Sequence, residues 1–199
     1  DKLSILPVHG RPFFPAQIQP FMVEQNRWED TLKRVAKEGH NCVGLVFVGE
    51  KELDRAAEID VDQFPKMGCV VRLHNVSVVE ESLQCLAQGI KRFVVDEWVS
   101  KKRPCLARVS YPSDKPAIGH ETEKVKAYAM ALIKAIKELL PLNPLYTEEL
   151  KQYLSRFSPN EPSPLTDFAA AITTAKGEAL QDVLETLPLQ DRMEKVLIL

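Results

Sequence analysis

The apolar residues change rhythm once along the chain, between Pro112 and Gly119. Before that point they come in short runs rich in β-branched side chains, the signature of strands. After it they recur every three or four positions, the signature of amphipathic helices. Leu3–Val8 predicts a first strand. Arg11-Pro12-Phe13-Phe14-Pro15 cannot be helical, because its prolines fix their own φ and restrict the residues before them. Ile18–Val23 predicts a second strand, and Pro20 inside it places that strand at an edge or a bend. One helix is expected in this region, from Asn26 to Lys37, with Asn26 as N-cap and Glu29 completing a capping box. Trp28, Leu32 and Val35 would share its inner face, and Gly39 would end it.

Cys42–Val48 is almost wholly apolar and predicts a central strand. Glu50–Pro65 is acidic and poor in large apolar residues, so a loop is expected. Met67–Glu80, Leu83–Gly89, Phe93–Val99 and Cys105–Tyr111 predict four successive antiparallel strands. Turns are expected at Glu81-Ser82, Lys91-Arg92 and Lys101–Pro104. A curled sheet or small barrel would leave such a meander with the fewest exposed edges.

The remainder reads as a helical bundle. Val125, Tyr128, Leu132, Ile136 and Leu139 make one stripe in 121–140, stopped by Pro141. Thr147–Phe157 predicts a second helix with Leu150, Tyr153, Leu154 and Phe157 inward. Ser163 is expected to cap a third, with Pro164 in its first turn and Leu165, Phe168, Ala169 and Ile172 inward. Leu180, Val183, Leu184 and Leu187 form a fourth stripe, and Met193, Val196 and Leu197 a fifth within Gln190–Leu199. The fold class expected is therefore α+β, with a β-rich part over 1–117 and a helical part over 118–199. The last stripe stops mid-pattern and the chain lacks an initiator methionine, so a piece of a longer protein is expected.

Composition narrows the function by exclusion. The net charge is −2, and the only dense basic cluster is Lys101-Lys102-Arg103, without interleaved aromatics. That pattern predicts a solvated hairpin tip and argues against a nucleic-acid role. No apolar run is long enough to span a bilayer, and the start does not resemble a signal peptide. The four cysteines, Cys42, Cys69, Cys85 and Cys105, sit in apolar runs without C-x-x-C spacing and predict reduced core thiols. Gly39/Gly44 and Gly44/Gly49 have P-loop glycine spacing but lack the Lys-Ser/Thr that must follow, so no cofactor is expected in this chain. His9, His40, His74 and His120 do not fall at metal-ligand spacing. No nucleophile elbow occurs, and adjacent carboxylates such as Glu80-Glu81 would point to opposite faces of a strand. No catalytic or metal-binding residues are therefore assigned.

Three stretches carry a family resemblance. The first is Leu6-Pro7-Val8, then Phe14-Pro15, then Ile18–Val23. The second is Gly68–Leu73 with Gly89-Ile90-Lys91-Arg92-Phe93. The third is Phe168–Ile172, Leu180–Leu187 and Gln190–Leu197. In order and spacing they resemble the N-terminal, substrate-recognition domain of Lon-type ATP-dependent proteases from end to end. The sequence departs from the family where Ala16 replaces the glycine often found after Phe-Pro, and where His9-Gly10-Arg11 replaces a Leu-Arg-Asp run.

The resemblance implies a PUA-like β pseudobarrel followed by a helical bundle leading toward an AAA+ ATPase domain. It implies a parent that is a cytoplasmic, bacterial, hexameric serine protease in protein quality control. Its ATP and Mg sites and its Ser–Lys dyad would lie outside this chain. The chain itself would be non-catalytic, would bind unfolded or degron-bearing proteins, and would support hexamer assembly. The alternative is a stand-alone Lon-domain adaptor with no peptidase. Capture of unfolded protein calls for an open apolar groove or strand edge. Phe13, Phe14, Phe21 and Met22 are the contact candidates, because they surround the proline-rich, edge-like segment.

Overall fold

One long strand organises the sheet. In the computed structural model, which describes residues 1–49, 60–80, 82–114, 121–139 and 161–199, the strands are β1 (Lys2–Val8), β2 (Ile18–Glu24), β3 (Cys42–Phe47), β4 (Met67–Val79), β5 (Ser82–Ser100) and β6 (Leu106–Ser110). Among the described residues the helices are α1 (Gln25–Lys37), α2 (Glu121–Leu139), α3 (Pro162–Ile172), α4 (Gly177–Glu185) and α5 (Leu189–Ile198), with a 3-10 turn at Val61–Gln63. The strand order is β2-β5-β4-β3-β1-β6, and β5 also pairs with β6. Five strands thus close into a barrel, while β2 hangs on the first half of β5. The first half of β5 pairs with β2 (Ile18 with Gln88, Glu24 with Ser82), and its second half pairs with β6 (Val94 with Ser110, Ser100 with Leu106).

The expected turn at Lys91-Arg92 does not form; β5 runs through it. Val70 pairs with Lys91 but Val71 pairs with Gly89, so Ile90 is an extra residue on β5. A bulge bends a strand and moves its side chains to the other face without breaking it. Cys85 and Ala87 accordingly join one core cluster and Phe93 and Val95 the other, although all four are odd-numbered. The meander is also not wholly antiparallel: β1 pairs with β3 in parallel, Ile5 beside Gly44 and Val8 beside Phe47. The crossover between them carries α1.

Both cores follow the period of two expected of strands. Leu3, Ile5, Val46, Val70, Phe93, Val95, Ala107 and Val109 come from all five closed strands and fill one cluster. Leu6, Val8, Val43, Leu45, Cys69, Val71 and Leu73 form the other, with Trp28 and Val35 of α1 packed onto it. Helix α1 begins at Gln25 with Glu24 as N-cap and no side-chain cap hydrogen bond, so the expected Asn26 N-cap is replaced by a strand that passes directly into a helix. It ends as expected, with Gly39 in the left-handed region (φ 74°) and the Gly39 N–H donating to Ala36 O.

The described residues divide into two compact units, Asp1–Pro112 with Lys176–Leu184, and Ser113–Ala175 with Glu185–Leu199. Helical period groups α4 with the bundle, but α4 belongs with the sheet. Its Gln181 side chain donates to Met67 O at 3.0 Å, and Arg92 of β5 donates to Leu184 O at 2.8 Å. A cation at a helix C-terminus meets both the unpaired carbonyls and the negative end of the dipole.

In the second unit α2, α3 and α5 pack on one another. Val125, Ala129, Leu132 and Ile136 of α2 are buried, as are Leu165, Phe168 and Ala169 of α3 and Met193 and Val196 of α5. Leu139 and Leu197, expected inward, are exposed. Ser163 does not cap α3, whose N-cap is Glu161; its hydroxyl instead donates to Asp114. The reason is Arg192 of α5, which is fully buried and donates to Ser163 Oγ at 2.6 Å and to Asp114 Oδ1 at 2.7 Å. It also lies 3.4 Å from Asp167 Oδ1. Removing one member of such a buried charge cluster costs about 3–5 kcal/mol. The expected loop over 50–59, the stop at Pro141 and the expected helix Thr147–Phe157 fall outside the described residues.

Candidate functional site

An open cleft of about 320 Å³ lies where the end of β1, the proline-rich segment, β2 and the start of α1 meet. Its lining is mixed. Pro7, Val8, Phe13, Phe21, Met22, Val23 and Trp28 supply apolar surface; His9, Arg11, Gln19, Glu24 and Arg27 supply polar surface. Ligand clefts commonly combine apolar walls with a few placed polar groups.

Local sequence explains each placement. The turn 14–17 is pinned to β5. Ala16 N–H donates to Gly89 O at 3.1 Å, and Gly89 N–H donates to Gln17 O at 2.8 Å. A Cβ at position 89 would collide with the Phe14 carbonyl, so only glycine admits this approach. Phe14 N–H also donates to Gln17 Oε1 at 2.9 Å. With the turn fixed, Phe13 meets Phe21 edge-on, ring centroids 6.2 Å apart and planes at 86°. Such a pair contributes about 0.5–1.5 kcal/mol beyond its buried area. Trp28 joins them because β2 runs into α1 without a loop.

β2 ends the row β2-β5-β4-β3-β1-β6 as an edge strand. The bond from Gly89 to Gln17 sets the phase of its ladder, and alternation then turns the backbone groups of Ile18, Pro20 and Met22 away from β5. Pro20 therefore removes an N–H from the outer edge rather than from the ladder, and interrupts that edge as a template for strand addition.

The four candidate residues separate. Phe13, Phe21 and Met22 line the cleft; Phe13 is buried in its floor, Phe21 is half-buried, and Met22 is 64% exposed. Phe14 does not line it and is fully buried. Trp28, Arg11 and Arg27 also line it, and the sequence does not single them out as contacts. The one signal for Trp28 was its place in the first turn of the helix after β2.

Lys101-Lys102-Arg103 is exposed between β5 and β6, as expected of a hairpin tip, and also makes defined contacts. Lys101 pairs with Asp62 at 2.5 Å, and the Arg103 guanidinium lies 5.4 Å from the Trp28 ring centroid and donates to Arg27 O at 3.4 Å. Burial pushes the Cys85 and Cys105 thiols up, the latter against the opposing influence of Arg103, so both favour the unreactive thiol form. Among the described residues no three His, Cys, Asp or Glu side chains gather as a metal site, and no helix is long and apolar enough to cross a membrane.

Residues 2–199 match the family described as the ATP-dependent protease La (LON) substrate-binding domain. The chain belongs to that family. Lon protease 2 of Hydrogenovibrio crunogenus is 43% identical over 199 residues, covering 100% of this chain and 22% of the relative. The Lon protease of Magnetococcus marinus is 40% identical over 200 residues, covering 100% of this chain and 24% of the relative. The chain thus spans less than a quarter of these Lon proteases. The fold is shared with the N-terminal domain of Mycobacterium avium complex Lon protease (TM-score 0.71, 16% identity, 100% of this chain and 97% of that one). It is shared also with a Lon N-terminal domain protein from Xanthomonas campestris (TM-score 0.65, 15% identity, 100% and 98%). The α+β fold is that of Lon N-terminal domains.

Proposed function

We propose that this chain is the non-catalytic recognition part of an ATP-dependent serine protease of the Lon type, and that it captures unfolded or degron-bearing proteins in a bacterial cytoplasm. One observation carries the reading: Met22 stands 64% exposed on an edge strand, beside a cleft floored by Phe13, Phe21 and Trp28. An exposed methionine at the margin of a cleft with aromatic lining suits adaptable contact with many sequences. Pro20 directs that contact to side chains rather than to strand addition. ATP, Mg and the Ser–Lys dyad belong to the remainder of the parent, and weak sites repeated around its oligomer would gain by avidity.

The test is binding of a labelled, permanently unfolded casein-like protein by the 199-residue chain, with a native globular protein as control. Preferential binding of the unfolded protein, weakened by Met22→Ala, is expected. Equal or absent binding sinks capture as this chain's own activity.

A second reading, support of hexamer assembly, has its own observation: Met130 (69% exposed) and Leu139 lie bare on α2. Light scattering tests it, since self-association abolished by Met130→Lys is expected. If the open reading frame holds no motor or peptidase, the chain would instead act as an adaptor.

A further inference from the structure

The far end of β4 is an open edge. β3 pairs with β4 only as far as Arg72, opposite Cys42, and the last bond across is Leu73 N–H donating to Asn41 O at 2.8 Å. Asn41 holds a left-handed backbone (φ 50°) just before β3, so the chain turns away there. β4 continues to Val79 on β5 alone, with Val78 opposite Leu83 and Val79 opposite Ser82. Among the described residues no strand lies on its other side.

The free backbone groups there have a regular phase. Gly89 N–H donates to Gln17 O on the β2 side, so alternation turns the backbone groups of Gln84 and Ser82 toward β4. Ser77 and Val79, opposite them, bond into the sheet, and Val76 and Val78 turn their N–H and C=O groups outward. The side chains of Val76 and Val78 are 52% and 58% exposed. Edges are ordinarily protected by lysine, proline or inward charge. Pro20 supplies that on β2, but residues 75–79 are Asn-Val-Ser-Val-Val, with no charge and no proline. The bulge between His74 and Ser77 bends β4 without removing a donor.

We propose that this edge receives the same edge of a second copy of the chain, as an antiparallel pair with its two-fold axis at Ser77. Complementarity selects the register. About that axis Val76 opposes Val78, a β-branched pair whose outward backbone groups are in phase to exchange hydrogen bonds. Glu80 then opposes His74 instead of its own copy, so like charges do not meet. An axis at Val78 would set Val76 against Glu80. A self-complementary patch of this kind closes as a dimer and does not propagate into fibres. The strip is short and buries less than the ~1,000 Å² of a stable interface, so the pair is weak alone and strengthened where copies are already held together. It depends neither on the cleft nor on Met130.

The experiment is sedimentation of the 199-residue chain over a wide range of concentration. A monomer–dimer equilibrium with its midpoint at about 100 µM is expected. Val78→Pro removes one outward N–H, as Pro20 does on β2, and should raise that midpoint at least about tenfold. Met130→Lys should leave it unchanged. A second measurement does not depend on how the proline variant folds. In the Cys42→Ser background, which lacks the one half-buried native thiol, Ser77→Cys is oxidised and compared with Val79→Cys. The two copies of position 77 would form a non-hydrogen-bonded pair with Cα atoms about 4.5–5.5 Å apart, within disulfide reach, whereas the two copies of position 79 would not meet. Ser77→Cys should therefore give a covalent dimer and Val79→Cys should not. A chain that stays monomeric overturns the inference, as does a dimer that survives in folded Val78→Pro or equal cross-linking at the two positions. If the chain is monomeric but Val78→Pro weakens its binding of unfolded protein, the edge takes a client strand and the proposal is wrong.

Discussion

Ala16 holds a left-handed backbone, φ 65°, at the turn that seats on Gly89. That conformation costs a residue with a Cβ about 1–2 kcal/mol. Glycine would relieve it, although the freer unfolded chain takes back about 0.5–1 kcal/mol. Ala16→Gly should therefore stabilise the protein by about 0.5–1 kcal/mol, read as a higher urea midpoint at unchanged slope. The sequence showed Ala16 to be unusual for the family; it did not show why, because φ is not visible in a residue name. Phe13 and Phe14 make the same point. They are adjacent and chemically identical, yet one faces the cleft and the other is sealed. Phe14→Ala should cost about 3–5 kcal/mol through the cavity it leaves. Met22→Ala should stay within about 0.5 kcal/mol of the parent, as exposed substitutions do. Denaturation curves of the two variants, set beside their binding of unfolded protein, separate core from contact.

At the scale of elements, most of the fold was legible where burial is one-sided and periodic. β1, β3, β6, α1 and the inner stripes of α2, α3 and α5 appear within a few residues of their expected bounds. Elements were misread where distant partners decide the outcome. Lys91 and Arg92 look like a turn because they are charged. In the structure the Lys91 ammonium lies 3.3 Å from the Tyr111 ring centroid and Arg92 reaches Leu184 O, so strand β5 can carry both charges. Ser163 looks like a cap until Arg192 claims it. The junction of α2 with α5 offers a pH test. Tyr128 Oη donates to Glu194 Oε1 at 2.9 Å and Gln190 Nε2 donates to the same oxygen at 3.1 Å. These bonds hold the Glu194 carboxyl below its ordinary value of about 4.3. Its folded-state pKa is depressed, so its contribution is complete above the unfolded value and lost as pH falls through the folded one. Tyr128→Phe should raise the Glu194 titration toward its ordinary value in a carboxyl NMR titration and start acid unfolding at higher pH. An unchanged titration would mean that the hydrogen bond is not made in solution.

At the scale of the whole molecule, the chain enters the second unit after Pro112, returns to the first over Lys176–Leu184 and leaves again. The change of rhythm at 112–119 marked the first passage, but period alone could not reveal the return, since α4 is as amphipathic as its neighbours. A protein ending at Pro112 would lack Leu184 O, which accepts from Arg92, and Gln181, which donates to the Met67 carbonyl. Loss of the charge-assisted bond alone is worth about 1.5–3 kcal/mol. Such a fragment should melt below the sheet of the intact chain, and a synthetic peptide of residues 176–185 should restore part of the difference. A fragment as stable as the whole chain would show α4 to be dispensable.

That return also bears on how such a protein can be inherited. A sheet completed by a segment from the far side of another unit cannot be exchanged between genes by one crossover at its visible boundary. The recombinant would carry the barrel without α4, and leave α4 behind in a gene with no sheet to receive it. An exchange that kept the sheet whole would need its far boundary beyond Leu184, and would carry most of the second unit with it.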